Sequence, residues 1–201
     1  LTQTQDLISA KDIINSNGGD WGWVTIVIRT DQLDYRTWQD FFDNCRRYHL
    51  IPIIRLATYS DNGNWKTPTF SDIDNLANFL HSLNWPIKTQ YISLFNEINH
   101  GQEWGGQVDV KNYVDISLYA INKFKSLNPN FFILNGALDL AAPNALPKYL
   151  SAKSFYNKFM IINQNFLTIS TALHLTPILI MVLLANLTIP ANIVSLATNG
   201  R

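Results

Sequence analysis

The stretch Tyr91-Ile92-Ser93-Leu94-Phe95-Asn96-Glu97-Ile98-Asn99-His100-Gly101 decides how this chain is read. Its first five residues make a short, nearly continuous apolar run, the pattern of a buried strand in a parallel sheet. Two polar residues, Asn96 and Glu97, follow at once. Side chains just past the carboxyl ends of such strands face the crevice where these sheets bind ligands. A glutamate there, beside an asparagine, has the position of an acid/base carboxylate.

Outward from this stretch, helix-like and strand-like segments alternate. Leu7, Ile8, Ile13 and Ile14 predict a helix over 6–17, stopped by Asn17-Gly18-Gly19. The β-branched run 23–28 predicts a strand ending in Arg29, and 51–54 predicts another ending in Arg55. An amphipathic helix is expected over 35–49. A polar loop is expected over 59–70, then a helix over 71–83 capped by Ser71. A helix over 110–127 and a strand over 131–134 complete the series. Strands separated by helices imply βαβ units and a parallel sheet, belonging either to a barrel or to a doubly wound fold. No glycine-rich phosphate loop follows any strand, which argues against a nucleotide site.

The bulk composition excludes several partners. Lys+Arg and Asp+Glu balance at 15 each, and no basic cluster exceeds Arg46-Arg47, so nucleic acid is not an expected partner. Cys45 is the only cysteine, which excludes an internal disulfide or a multi-cysteine metal site. Trp38, Phe41, Phe42 and Tyr48 flank it at helical spacing, so Cys45 is expected in the core. The chain opens on Leu1 without a charged-then-apolar leader, and its compartment is left open.

The last quarter is anomalous. Between Phe159 and Gly200 there is no Asp, Glu, Lys or Arg. Its centre, 173–187, is rich in Leu and Ile, with Pro177 inside it. A membrane span is one reading, since the apolar length approaches the ~20 residues needed. His174, Pro177, Asn186 and the lack of a basic flank weigh against it, so a membrane is not an expected partner. A buried pair of strands is a second reading. The third is a frameshift near 167–172. With suitable synonymous codons, the frame starting at the third base of Leu173 stays free of stops to the end. The shifted peptide has charges, glycines, prolines and a His-Ser-Tyr stretch. The third reading is preferred.

The segment from Asp6 to Pro143 resembles the clan of retaining glycoside hydrolases built on a (β/α)8 barrel, the cellulase- and xylosidase-like enzymes. The residues that carry the likeness are Phe95-Asn96-Glu97 after a strand, then Asn99-His100 and Glu103-Trp104-Gly105-Gly106. In that clan an Asn-Glu pair ends the fourth strand, and its glutamate is the acid/base. The resemblance implies an α/β fold, an incomplete (β/α)8 barrel holding roughly strands two to five over 1–150. The charge-poor 151–201 would be a tail or the frameshifted remainder of the same barrel. The clan's attacking glutamate ends strand seven, which this sequence does not reach, so the chain is expected to be inactive. Ile98 stands where many relatives have proline, which leaves the subfamily unsettled.

Retaining hydrolysis needs two carboxyl groups about 5–5.5 Å apart, one to protonate the leaving oxygen and one to attack. By the resemblance Glu97 is the first, and Asn96 would hydrogen-bond a sugar hydroxyl. The plainer alternative for Glu97 is a solvated loop acid. Arg29 and Arg55 at strand ends would orient sugar groups, or else form ordinary salt bridges. Tyr59, Trp65 and Trp104 lie in loops expected to ring the mouth, with faces suited to sugar rings or simply to loop packing. His100 is placed with the substrate-binding residues. Glu97 and His100 also have Glu-x-x-His spacing, but that metal motif needs a helix and a second copy, so neither metal nor cofactor is expected. Trp21 and Trp23 are expected in the core or at the barrel bottom, and the other histidines in structural roles. Two further classes compete with the enzyme: a non-catalytic saccharide-binding barrel, and a membrane-tethered protein anchored by 173–187.

Overall fold

The computed structural model describes residues 6–15 and 20–167. The chain divides into two compact units, Leu1–Gln164 and Asn165–Arg201, and the description below concerns the first. The segment on which the three tail readings bear lies outside the described residues. Among the described residues, no helix is long and apolar enough to cross a membrane.

Four parallel strands, β1 (Gly22–Arg29), β2 (Leu50–Ala57), β5 (Gln90–Ser93) and β6 (Phe131–Leu134), form one sheet in the order β1-β2-β5-β6. Five helices accompany them: α1 (Asp6–Ile14), α2 (Tyr35–Arg47), α3 (Phe70–Ser82), α4 (Val110–Leu127) and α5 (Ala152–Leu167). Each strand of this sheet pairs with the next one along the chain, so its order never reverses. That order is consistent with part of a barrel wall; a doubly wound sheet turns back at a switch point.

Crossovers of one hand place successive helices on one face of the sheet. Burial along β1 fits this: Val24, Ile26 and Ile28 are buried, whereas Trp23 on the other face is 50% exposed. Leu50, Ile54 and Leu56 of β2 are buried, with Ile51, Ile53 and Arg55 only partly so. The less covered face carries an aromatic row, with Trp23 edge-on to Tyr91 and Tyr91 beside Phe132. Of the two expected places for the N-terminal tryptophans, core or barrel bottom, both take the second: Trp21 precedes β1 and Trp23 is its second residue. Trp21, 39% exposed, stacks on His49.

The helices follow from caps and apolar stripes. Asp34 caps α2 by accepting from Thr37 N at 2.8 Å, and Trp38, Phe41, Phe42 and Cys45 form its buried stripe. Burial pushes the Cys45 thiol up to about 12, so it stays an inert packed group. The cap of α3 is Thr69, not Ser71. Thr69 and Asp72 form a reciprocal capping box, which starts the helix one residue earlier than expected. The helix α4 and the strand β6 have the expected bounds.

Candidate active site

The site begins where β5 ends. The strand stops at Ser93, short of Phe95, and the chain then bends sharply. Phe95 has φ +65° and Glu97 φ +36°, both in the left-handed region that non-glycine residues occupy at a cost of about 1–3 kcal/mol each. Buried neighbours hold this bend: Phe95 packs edge-on against Trp104, and Trp104 against Tyr113 of α4. The next turn is closed by His100 N donating to Glu97 O at 2.7 Å.

Asn96 emerges from the bend toward the neighbouring strand, where Arg55 Nη1 donates to its Oδ1 at 2.8 Å. Arg55 was expected at a strand end, but it lies inside β2, opposite Ser93. Its Nε is buried with no hydrogen-bond partner. Arg29 does end β1, and its guanidinium is paired with Asp31 through Nε at 2.9 Å and through Nη2.

These residues border a cleft of about 340 Å³ at the carboxyl ends of β1, β2 and β5. Arg29, Arg55, Trp65, Lys66, Asn96 and Glu103 are among its walls. Trp65 reaches the cleft from a short hairpin, β3 (Ser60–Asp61) and β4 (Asn64–Trp65), turned by Asn62 and Gly63 at φ +51° and +80°. Two positive φ angles in an Asn-Gly pair are the signature of the tight hairpin turn. The plain loop expected over 59–70 thus contains a hairpin, whose Asn-Gly signal is legible in the sequence.

Four of the expected site residues thus come together on the cleft: Arg29, Arg55, Trp65 and Asn96. Others do not line it. Tyr59 flanks the hairpin, where Lys66 Nζ donates to its hydroxyl at 2.9 Å. Trp104 is 2% exposed and donates Nε1–H to Asn112 Oδ1 at 3.0 Å. Its ring is a packing element, which corrects its expected role in stacking on a sugar. His100 Nε2 lies 2.8 Å from Asp139 Oδ2, and its ring meets Tyr149 edge-on. Glu97 is partly buried beside the cleft and is not one of its lining side chains.

Three residues absent from the sequence-based site set emerge here. Glu103 lines the cleft on a 3₁₀ turn, Gly101–Glu103. Burial and then the Glu97 charge raise its pKa above the usual carboxylate range, while Asn96, Arg55 and His100 pull it down. The turn is pinned by Gly101 N to Lys148 O at 2.7 Å and by Gly105 N to Trp65 O at 2.8 Å. Gly101 is required there, because a Cβ would sit 2.8 Å from Gln107 Cα. Asn99, fully buried, is the second. Its Nδ2 donates to Asp139 O and Leu150 O at 2.9 Å each, and its Oδ1 accepts from Asp139 N at 3.0 Å. Asp139 is the third. The Ala141 N–H and then His100 hold its carboxyl below the usual range. Glu103 was in view as part of a motif, but nothing in linear spacing shows which carboxylate reaches a cleft.

Among the described residues, no cluster of His, Cys, Asp or Glu has the makings of a metal site. No family model matches the chain, and no curated protein does. Among solved structures it is similar to a monomeric β-xylosidase from Caulobacter crescentus CB15, at 15% identity and a TM-score of 0.49. That match covers 66% of this chain and 34% of the β-xylosidase, so the chain spans about a third of that enzyme's length.

Proposed function

We propose that this chain carries the acid/base side of a retaining glycoside hydrolase site that acts on a β-linked poly- or oligosaccharide. Glu97 is the acid/base. The observation that carries the reading is the position of Asn96 and Glu97 just past the carboxyl end of β5, where a cleft walled by Arg55, Trp65, Asn96 and Glu103 opens on a parallel sheet. In that role the acid form of Glu97 gives its proton to the glycosidic oxygen, and its carboxylate then activates water in the second half of the reaction. Asn96, oriented by Arg55, offers a hydrogen bond to a sugar hydroxyl, and Trp65 offers an aromatic surface. Glu103 leaves the same loop as Glu97, so the attack is assigned to a carboxylate outside this chain.

The purified chain should bind oligosaccharides without turning them over. Asn96→Ala and Trp65→Ala should each weaken binding in calorimetric titration. A folded chain that binds no saccharide would overturn the reading. Turnover abolished by Glu97→Gln would place both carboxylates within this chain and overturn the assignment of the attacking one. The coding DNA from Tyr156 onward supplies a separate check. A frame that resumes the βα pattern and reaches a strand-end glutamate supports the enzyme. An intact frame closed by a stop after Arg201 removes it.

A second reading, a non-catalytic saccharide-binding barrel, is favoured by the position of Glu97 off the cleft lining. A longer gene product whose seventh strand lacks a glutamate would select it.

A further inference from the structure

We infer that the cleft takes a saccharide carrying an anionic substituent, a carboxylate or a sulfate on the ring, rather than a neutral one. The inference rests on the saccharide reading and names its substrate class. Three cationic side chains line the cleft, Arg29, Arg55 and Lys66, against one carboxylate, Glu103. The chain as a whole has 15 basic and 15 acidic residues, so this excess is local rather than a reflection of overall charge.

The partners of the three cations sharpen the point. The fork of Arg29 is already held by Asp31, which does not line the cleft, so the cations left to a ligand are Arg55 and Lys66 against Glu103. Arg55 bonds the neutral amide of Asn96, and its buried Nε has no hydrogen-bond partner. A buried guanidinium N–H without an acceptor is costly and leaves the Arg55 cation incompletely compensated by its neighbours, which favours an anionic group beside it in the cleft. Lys66 is exposed and bonds the neutral Tyr59 hydroxyl. The carboxylates of Asp61 and Asp72 act on Lys66 but do not line the cleft either.

Guanidinium forks match the planar oxygens of carboxylates and the oxygens of sulfates, whereas a sugar hydroxyl needs only a neutral partner. The two arginines stand on adjacent strands, with Val27 of β1 opposite Arg55 of β2 in the register. Both approach the cleft from the sheet, while Lys66 approaches from the hairpin. An anionic substituent between them would meet charge from two sides, and Trp65 would lie beside the rest of the ring.

The test is calorimetric titration of the 201-residue chain with length-matched oligosaccharides: neutral xylo- and cello-oligomers, oligogalacturonates, and sulfated oligomers. At low salt, one acidic series should bind about tenfold or more tighter than the neutral one, as expected for a charge-assisted contact at a partly desolvated site. That preference should shrink between about 20 and 200 mM salt. Whichever acidic series binds more tightly identifies the substituent. Lys66→Ala, at an exposed position, should cost several-fold in acidic affinity and leave neutral affinity unchanged. Arg55→Lys, which keeps the charge and removes the fork, should cost more in acidic than in neutral affinity, the neutral loss reporting its support of Asn96. Equal or tighter binding of the neutral series overturns the inference and leaves the saccharide reading standing. Binding of no series by a chain shown to be folded overturns the saccharide reading itself.

Discussion

Arg55 and Asn96 are joined at 2.8 Å although Arg55 lies opposite Ser93 in the sheet register. The strand has ended by then, and the chain bends between Ser93 and Asn96 at the left-handed Phe95. The Arg55–Asn96 bond makes the orientation of Asn96 depend on the neighbouring strand rather than on its own loop. Arg55→Gln should remove that support. Affinity for oligosaccharide should fall about tenfold, in line with a charge-assisted hydrogen bond. The chemical shift of the Asn96 side-chain amide should move with it, and isothermal titration together with amide NMR spectra checks both.

Glu103→Gln should tighten acidic saccharides and leave neutral ones unchanged, because it removes the one negative charge on the cleft wall. The same change should flatten the pH dependence of binding. Glu103 titrates above the usual carboxylate range, so in the parent chain its charge appears, and acidic ligands weaken, as pH rises through that raised value. Its contribution to stability has the matching sign. The folded state holds this proton more tightly than the unfolded one, so stability from this group falls as pH rises between the two values. Titration of the Glu103 carboxyl carbon by NMR gives the value directly.

Asn99→Ala should destabilise the protein by about 3 kcal/mol, because it leaves Asp139 N, Asp139 O and Leu150 O without their amide partner in a buried place. Limited proteolysis should then cut first within 139–150. A urea midpoint shift without a change in slope would show that only stability was altered.

Thr69→Ala should cost about 1 kcal/mol by removing the capping box of α3, and Ser71→Ala should cost only a few tenths. Thermal unfolding of the two variants separates them.

Acid should destabilise the fold through a defined set of groups. Asp31, Asp34, Asp74 and Asp139 all titrate below the usual value because each accepts hydrogen bonds in the folded chain. Their stabilisation is complete above the unfolded value of about 3.8 and is lost as pH falls through the lower folded values. A stability profile that stays flat down to pH 2 would contradict these hydrogen bonds.

The βα alternation was legible because each element repeats its own period. The eighteen-residue α4 and the four-residue β6 stood where the apolar spacing placed them. The strand-end position of Asn96 was legible for the same reason. Other features depended on the fold. Trp104 reads like any loop aromatic until the Phe95 bend folds over it. Glu103 reads like a surface acid until the Gly101 turn brings it to the cleft. Trp23 reads as core or barrel bottom because alternation cannot say which face the helices cover. The cap of α3 was misplaced because Ser71 and Thr69 both qualify locally, and only the reach of Asp72 decides between them.

The unreversed order of the main sheet has a consequence for how the molecule forms. Each of its strands docks on the one that precedes it, so no pairing has to wait for a distant part of the chain. Loop closure for each step spans a single helix and its connections, and the entropy of closing such loops grows only slowly with length. Assembly can therefore proceed as accretion from the amino-terminal side during synthesis, each new βα unit finding its template already in place.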